Sequence, residues 1–169
     1  CDGEFFTGKE IFVVGGGYAA AEESVFLTKF ARHVTILVRK DDFSCAASVA
    51  EQAKKNEKIT IITNAVIDKI HGKDVVDSVT LKDTLTGRTT TLDTSAVFVA
   101  IGRIPQSDLA GKYVYLTNDG FIRTDREMQT DVKGIFAAGD VRETQLRQIV
   151  TAAADGAVAA VTAINYINE

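Results

Sequence analysis

The sequence predicts an α/β fold built on a parallel sheet, and three observations lead to this prediction. Three short apolar runs, Glu10–Val14, His33–Val38 and Ile59–Thr63, alternate with segments of helical composition. Each run is almost continuously apolar, which is typical of a strand buried on both faces of a parallel sheet. Glycines at positions 15 to 17 separate the first run from an alanine-rich segment that ends near Phe30, as expected of a strand, a tight turn and a helix.

The sequence after Ala65 is rich in β-forming residues separated by turn residues. Runs at 66–70, 75–81 and 88–92 predict a three-stranded antiparallel meander. A further apolar run at 95–101 predicts another buried strand.

Gly102 and the only proline of the chain, Pro105, mark the predicted domain boundary, which gives domains 1–102 and 103–169. Beyond this boundary the sequence predicts a weak hairpin at 118–120, a buried strand at 134–138 and an alanine-rich helix from about 146 to 166.

Composition and charge exclude several classes of function. The chain has 169 residues, 46% of them hydrophobic and 25% charged, which is ordinary for a globular domain. With 19 Lys and Arg against 23 Asp and Glu, it has no basic field that would attract nucleic acid or anionic lipid. No apolar run reaches the roughly 18 residues that a membrane span needs. We therefore expect neither a nucleic-acid partner nor a membrane partner.

The two cysteines, Cys1 and Cys45, are too few for the disulfide framework of a small secreted domain, and they favour a cytoplasmic protein. No cluster of His, Cys, Asp and Glu has metal-ligand spacing, so we expect no metal site. Because the chain begins with cysteine and contains a single methionine, Met128, we expect it to be a piece of a longer protein.

The glycine turn is the first candidate binding motif. Gly15, Gly17 and Ala20 match the pattern G-x-G-x-x-G/A between a predicted strand and a predicted helix. In such a motif the first residue makes a tight turn, the second lets the backbone approach a pyrophosphate, and the third lets the helix pack on the strand. The helix then directs its free N–H groups at the phosphates. The motif predicts a dinucleotide site, and a glycine-rich turn without a ligand is the alternative.

The residues after the second strand indicate which dinucleotide binds. An NAD site places an acidic residue there to bind the ribose 2′-hydroxyl, whereas this chain has Arg39 and Lys40. A guanidinium and an ammonium group suit a 2′-phosphate, so the sequence predicts NADP(H). The alternative is a solvated charge pair, in which Asp41 and Asp42 compete for the two cations.

Six segments then occur in a recognisable order and spacing. They are CDG at 1–3, GGGYAAAEE at 15–23, VRKDDF at 38–43, FVAIGRIP at 98–105, GIFAAGDV at 134–141, and RQ at 147–148 before the alanine-rich helix. Together they resemble the low-molecular-weight thioredoxin reductases, within the wider pyridine-nucleotide disulfide oxidoreductase class. The resemblance implies a three-layer, Rossmann-like NADP(H) domain with a β-meander over 1–102, followed by the C-terminal half of a split FAD-binding domain over 103–169.

The resemblance also implies roles for single residues. Family members carry C-x-x-C-D-G, and Cys1 is similar to the second cysteine, which lies against the flavin. Asp2 is similar to the acid/base that protonates the departing thiolate. The remaining cofactor residues implied by the resemblance or by the motifs are Gly102, Gly139 and Asp140, Arg147 and Gln148 at the isoalloxazine, and Glu22 near the nicotinamide.

The chain departs from the family pattern at three places. No cysteine precedes Cys1, and the flavin-binding βαβ unit that comes first in the family is not in the sequence. Where the family commonly has H-R-R-x-x-x-R, this chain has Val38, Arg39, Lys40 and Ser44, so we expect a weaker preference for NADPH. We further expect exposed apolar surface on residues 103–169 and little bound flavin in the chain alone.

The implied activity is that of a thioredoxin-disulfide reductase. Reducing equivalents pass from NADPH to FAD, to the active-site dithiol and to a disulfide of thioredoxin or a similar protein, in an enzyme that is a homodimer at full length. Two other flavoenzymes remain open at this point, a ferredoxin or flavodoxin NADP reductase and the flavoprotein of alkyl hydroperoxide reductase. An isolated NADP(H)-binding module without turnover is a further alternative.

Overall fold

The computed structural model describes residues 2–168, and the chain divides into two compact units. The division falls between Gly102 and Arg103. We call the parts on either side the N-terminal unit and the C-terminal unit.

The N-terminal unit contains a four-stranded parallel sheet and a three-stranded antiparallel sheet. Its elements, in chain order, are β1 (Glu10–Val14), α1 (Tyr18–Leu27), β2 (His33–Val38), α2 (Ala47–Lys54), β3 (Ile59–Thr63), β4 (Ala65–Gly72), β5 (Val76–Asp83), β6 (Thr89–Asp93) and β7 (Ala96–Val99). A short 3-10 helix, Asp2–Phe6, precedes them. The parallel sheet has the order β3-β2-β1-β7, with Ile11 opposite Val34 of β2 and Ala96 of β7.

The parallel sheet is buried on both faces because successive side chains of a strand point to opposite sides. Ile11 and Val13 belong to a core cluster with Ala20 and Leu27 of α1. Phe12, between them, belongs to a second cluster with residues of the meander β4-β5-β6. One layer of helices and one antiparallel layer therefore cover the sheet, and the predicted α/β fold with a parallel sheet and a meander is confirmed.

The C-terminal unit contains little regular structure before one long helix. The predicted hairpin at 118–120 is a turn in which the Thr117 N–H donates to the Phe121 carbonyl over 2.8 Å. The predicted strand at 134–138 is wrong as a regular strand, because it forms only an isolated bridge between Phe136 and Gln129. Its apolar side chains instead join a small core with Val114 and Ile122.

The long helix α3 (Ile149–Asn168) buries none of its residues. Ile149 is 90% exposed and Ile167 is 79% exposed, so an apolar face stands open as the sequence predicts. Within residues 2–168, α3 is the one helix whose length and composition would allow it to cross a membrane, which is weak support for a span. The sequence argument from uninterrupted apolar runs did not foresee this, because many alanines raise the mean hydropathy of a helix that still carries Asp155.

Candidate dinucleotide site

The glycine turn joins β1 to α1 and passes very close to the neighbouring backbone. Gly15 has φ +145°, and a Cβ atom on it would lie 2.3 Å from the carbonyl oxygen of Ala100. A Cβ atom on Gly16 would lie 2.8 Å from a methyl carbon of Val38. Packing therefore requires a glycine at position 15, where the contact is with backbone, and a side chain at position 16 would have to displace the buried Val38 side chain.

Gly17 differs from its two neighbours. Its φ of −92° is open to any residue, and a Cβ atom on it would meet nothing within 4 Å. Packing gives no reason for a glycine here, whereas close approach of a ligand to the backbone would give one. Ala20, the third small residue of the motif, is fully buried against the sheet.

Helix α1 begins directly after this glycine without a capping side chain. Gly17 is the N-cap residue, no side-chain hydrogen bond caps the helix, and its first turn holds no acidic residue. The first backbone N–H groups of a helix have no partner within the helix, and the helix dipole makes this end positive. An anionic group of a ligand is therefore the natural partner for this end of α1.

A cleft of about 730 Å³ lies at this turn, over the carboxyl ends of β1 and β2. Ligands of open α/β sheets bind at these strand ends, where neighbouring strands of the sheet connect in opposite directions. The residues that line the cleft are Val14, Gly15, Gly16, Gly17, Tyr18, Ala19, Leu37, Val38, Arg39, Lys40, Asp42, Ser44, Ala65, Val66, Ile67, Ala100, Ile101 and Gly102. Its volume is in the range of a cofactor site.

Arg39 and Lys40 follow β2 at the rim of this cleft, and both side chains are exposed. Neither forms an ion pair with another residue in the described part of the chain. Within residues 2–168 neither Asp41 nor Asp42 pairs with these cations, and Lys54 at the end of α2 binds the Asp42 carboxylate at 2.7 Å. The hydrogen bond from Lys54, followed by one from the Phe43 backbone N–H, lowers the pKa of Asp42 below its usual value.

Ser44 stands where the family pattern has a third basic residue. Its backbone N–H donates to the Gly16 carbonyl over 2.7 Å, and its hydroxyl donates to the same oxygen over 3.1 Å. The segment after β2 is thereby tied to the glycine turn. This link fixes one wall of the cleft, although it supplies no charge.

The structure brings some of the predicted site residues together and leaves others apart. Gly15, Gly17, Arg39, Lys40 and Gly102 all line the cleft, and Gly102 has φ +97°.

Two further predicted residues of the N-terminal unit, Glu22 and Asp2, are exposed and do not line the cleft. Cys1 lies outside the described residues. Sequence reasoning missed Lys54, because nothing in the sequence around the end of α2 indicates that this side chain reaches Asp42. Within residues 2–168, no group of three or more His, Cys, Asp or Glu side chains is placed to hold a metal ion.

The C-terminal unit holds the second group of predicted cofactor residues. Gly139, with φ +78°, and the exposed Asp140 open a short 3-10 turn, Gly139–Val141. Asp155 of α3 accepts a hydrogen bond from the Gly139 N–H over 3.1 Å and binds Arg142 with both oxygens, at 2.6 and 3.1 Å. The Arg142 hydrogen bond is the main cause that lowers the pKa of Asp155.

Arg147 has a side-chain nitrogen that lacks a hydrogen-bond partner in the described structure. Its guanidinium carbon lies 4.3 Å from the centre of the Phe121 ring, and its Nε atom is buried without a hydrogen-bond partner in the described structure. A buried donor without an acceptor is costly, so a bound polar group is expected there. Gln148 follows, is exposed, and precedes the first turn of α3. These donors and the exposed carboxylate of Asp140 fit a flavin dinucleotide chemically.

The fold and the cleft define a dinucleotide-binding α/β unit of the Rossmann-like type. A sequence model of the family described as pyridine nucleotide-disulphide oxidoreductase matches residues 3–156. The chain belongs to this family.

The chain is also similar to individual thioredoxin reductases. It is 47% identical to that of Peptoclostridium litorale, covering 100% of this chain and 56% of the relative, and 45% identical to that of Bacillus subtilis, covering 100% and 54%. The crystal structure of thioredoxin reductase from Streptococcus pyogenes matches with a TM-score of 0.90 at 37% identity, over 99% of this chain and 55% of that one. The chain thus spans about half the length of the curated relatives it matches, and the resemblance to thioredoxin reductases is confirmed.

Proposed function

We propose that this chain carries the NADPH-binding domain, at 1–102, and the C-terminal part of the FAD-binding domain, at 103–169, of a thioredoxin-disulfide reductase. One observation supports the proposal most strongly: two cations that form no ion pair within residues 2–168 stand at the rim of a cleft that is lined by a glycine turn and the uncapped start of a helix. The similarity to thioredoxin reductases over the whole chain supports the reaction. When bound, NADPH and FAD supply the hydride and electron transfer that reduces a protein disulfide.

The residues of the N-terminal unit would bind the coenzyme by its two charged groups. The backbone at Gly15 and Gly17 and the N-terminus of α1 bind the pyrophosphate. Arg39 binds the 2′-phosphate with its guanidinium fork, and Lys40 adds a second positive charge. Glu22, in the second turn of α1, is the weakest member of the set, because it does not line the cleft.

The residues of the C-terminal unit would hold one side of FAD. Asp140 accepts hydrogen bonds from the ribityl or pyrophosphate end. Arg147 donates through its orphaned Nε atom, and Gln148 offers a side-chain amide beside it. The exposed apolar face of α3 would then be covered by the flavin-binding segment that relatives carry in their remaining length.

Cys1 and Asp2 would carry out the disulfide chemistry. The Cys1 thiolate is one partner of the exchange, and the Asp2 carboxyl group supplies a proton to the leaving thiolate. The proposed substrate is thioredoxin or a similar disulfide protein, and the proposed setting is a cytoplasmic homodimer without nucleic acid or membrane partners.

A second candidate is an isolated NADP(H)-binding module. The observation that favours it is the closed core of the N-terminal unit, in which Val13, Val34 and Ile36 are completely buried. The same 169 residues would then bind NADP(H) without turnover.

An activity assay separates the two candidates. The chain is incubated with NADPH, FAD and an aromatic disulfide, alone and after fusion to the flavin-binding segment of the Bacillus subtilis relative. We expect no turnover from the chain alone and NADPH-dependent reduction from the fusion. A fusion that binds FAD and NADPH but reduces no disulfide would leave only the binding module.

The coenzyme itself is tested with the chain as it stands. We expect Arg39→Ala/Lys40→Ala to lower the affinity for NADPH and to leave that for NADH unchanged. Lys29→Ala/Arg32→Ala is the matched control, because it removes the same charges at the opposite end of β2, where Arg32 pairs with Glu10 at 2.8 Å. If the ratio of NADPH to NADH affinity were the same in this variant and in the wild type, the proposed site would be contradicted.

A further inference from the structure

The side chain of Lys54 makes two contacts beside the dinucleotide cleft. Its Nζ atom lies 2.7 Å from one carboxylate oxygen of Asp42 and 2.9 Å from the other. The same atom lies 5.9 Å from the centre of the Phe43 ring. Lys54 therefore engages a cleft-lining carboxylate, although Lys54 itself is not among the residues that line the cleft.

The carboxylate of Asp42 is badly placed for a phosphorylated coenzyme. It lines the same cleft as Arg39 and Lys40 and lies two residues beyond Lys40 in the sequence. A free carboxylate there would repel a 2′-phosphate, compete for Arg39 and Lys40, and accept a hydrogen bond from the hydroxyl of the unphosphorylated coenzyme. Each of these effects would favour NADH over NADPH.

Lys54 weakens all three effects. It places a positive charge against the carboxylate and contacts both of its oxygens. Arg39 and Lys40 remain without an ion pair within residues 2–168. The contact couples the last turn of α2 to the segment after β2, and together with the 2.8 Å hydrogen bond that Asp42 Oδ1 accepts from the Phe43 N–H it holds the carboxylate in place.

We propose that Lys54 is a positioning residue that sets the preference for the 2′-phosphorylated coenzyme by engaging Asp42. This inference rests on the proposed binding of NADP(H) in the cleft. Lys54 lies on α2, whereas Arg39 and Lys40, the two cations proposed to contact the phosphate, follow β2.

The test measures the ratio of NADPH to NADH affinity by calorimetric titration of the 169-residue chain at low ionic strength. We expect Lys54→Met to lower this ratio about two- to fivefold, the range for one exposed ion pair. Lys54→Arg should keep the ratio. Lys55→Met is the matched control and should leave it unchanged, because Lys55 pairs with Glu51, which does not line the cleft.

A double variant distinguishes action through Asp42 from direct contact with the phosphate. If Lys54 acts through Asp42, then Asp42→Asn and Asp42→Asn/Lys54→Met have the same ratio. The inference would be overturned if the double variant had a ratio of NADPH to NADH affinity as low as that of Lys54→Met. It would also be overturned if the ratio of Lys54→Met equalled that of the wild type. A wild-type chain that shows no preference for NADPH would instead overturn the proposed function on which it rests.

Discussion

Replacing Gly17 with valine tests whether this glycine serves the ligand rather than the fold. The residue has φ −92° and ψ −173°, and a Cβ atom would meet nothing within 4 Å. We expect Gly17→Val to cost only about 0.5–1 kcal/mol of stability, because valine is a poorer N-cap than glycine. Its side chain would nevertheless stand over the first amides of α1 and keep a pyrophosphate away from them.

The expected loss of affinity follows from that obstruction. One hydrogen bond to a charged group is worth about 1.5–3 kcal/mol, so the affinities for NADPH and NADH should both fall about 10- to 100-fold, with their ratio unchanged. Gly15→Ala is the contrasting variant. A side chain there is strained by φ +145° and lies 2.3 Å from the Ala100 oxygen, so it should cost about 3 kcal/mol or more.

Coenzyme titration and urea unfolding of the same preparations provide the assay. Gly156→Val is the control, because a Cβ atom at Gly156 also meets nothing within 4 Å and the residue belongs to the C-terminal unit. If Gly17→Val bound NADPH as the wild type does, or if it unfolded as readily as Gly15→Ala, the reasoning about this turn would be refuted.

Three other predictions concern the core, the partly buried ion pair between Arg142 and Asp155, and the cations. Leu27→Ala, at a side chain only 1% exposed, should destabilise the N-terminal unit by about 2–5 kcal/mol in urea unfolding, and a loss below 1 kcal/mol would mean that the core is loosely packed. The pKa of Asp155 is lowered in the folded chain, so its contribution to stability is present above its unfolded pKa of about 3.9 and is lost as the pH falls through the folded value. Asp155→Asn should abolish this part of the acid sensitivity in thermal unfolding between about pH 5 and 2, whereas an unchanged profile would show that the ion pair does not contribute. Raising the salt concentration from about 0.01 to 1 M shortens the screening length from about 30 to 3 Å. The affinity for NADPH should therefore fall more steeply with salt concentration than the affinity for NADH. If both affinities fell with the same slope, Arg39 and Lys40 would be excluded from the phosphate site.

Local patterns in the sequence predicted the part of the fold that depends on neighbouring residues. The apolar run Glu10–Val14 predicted β1, because a strand packed on both faces is apolar throughout. The glycines after it predicted the turn, because Gly15 has a positive φ that few other residues adopt. Arg39 and Lys40 were predicted at the site because the end of β2 determines where they lie.

Features that depend on packing between distant segments could not be predicted in the same way. Lys54 meets Asp42 only because α2 lies beside the segment after β2. The two residues are twelve positions apart in the sequence, and this separation matches no helix or strand period that would predict the contact. The run at 134–138 has the composition of a strand, yet its backbone forms a single bridge in the described structure. Apolar character predicts burial, but a strand also needs a neighbour for its hydrogen bonds.

The central claim is that NADPH binds across the glycine turn with its 2′-phosphate on the two cations after β2. The most direct measurement is an amide chemical-shift titration of the 15N-labelled chain with NADPH and, separately, with NADH. The account predicts that both coenzymes shift the amides of residues 15–20, and that NADPH alone strongly shifts those of Arg39 and Lys40. Shifts that avoid residues 15–20, or identical shifts at Arg39 and Lys40 for the two coenzymes, would contradict it.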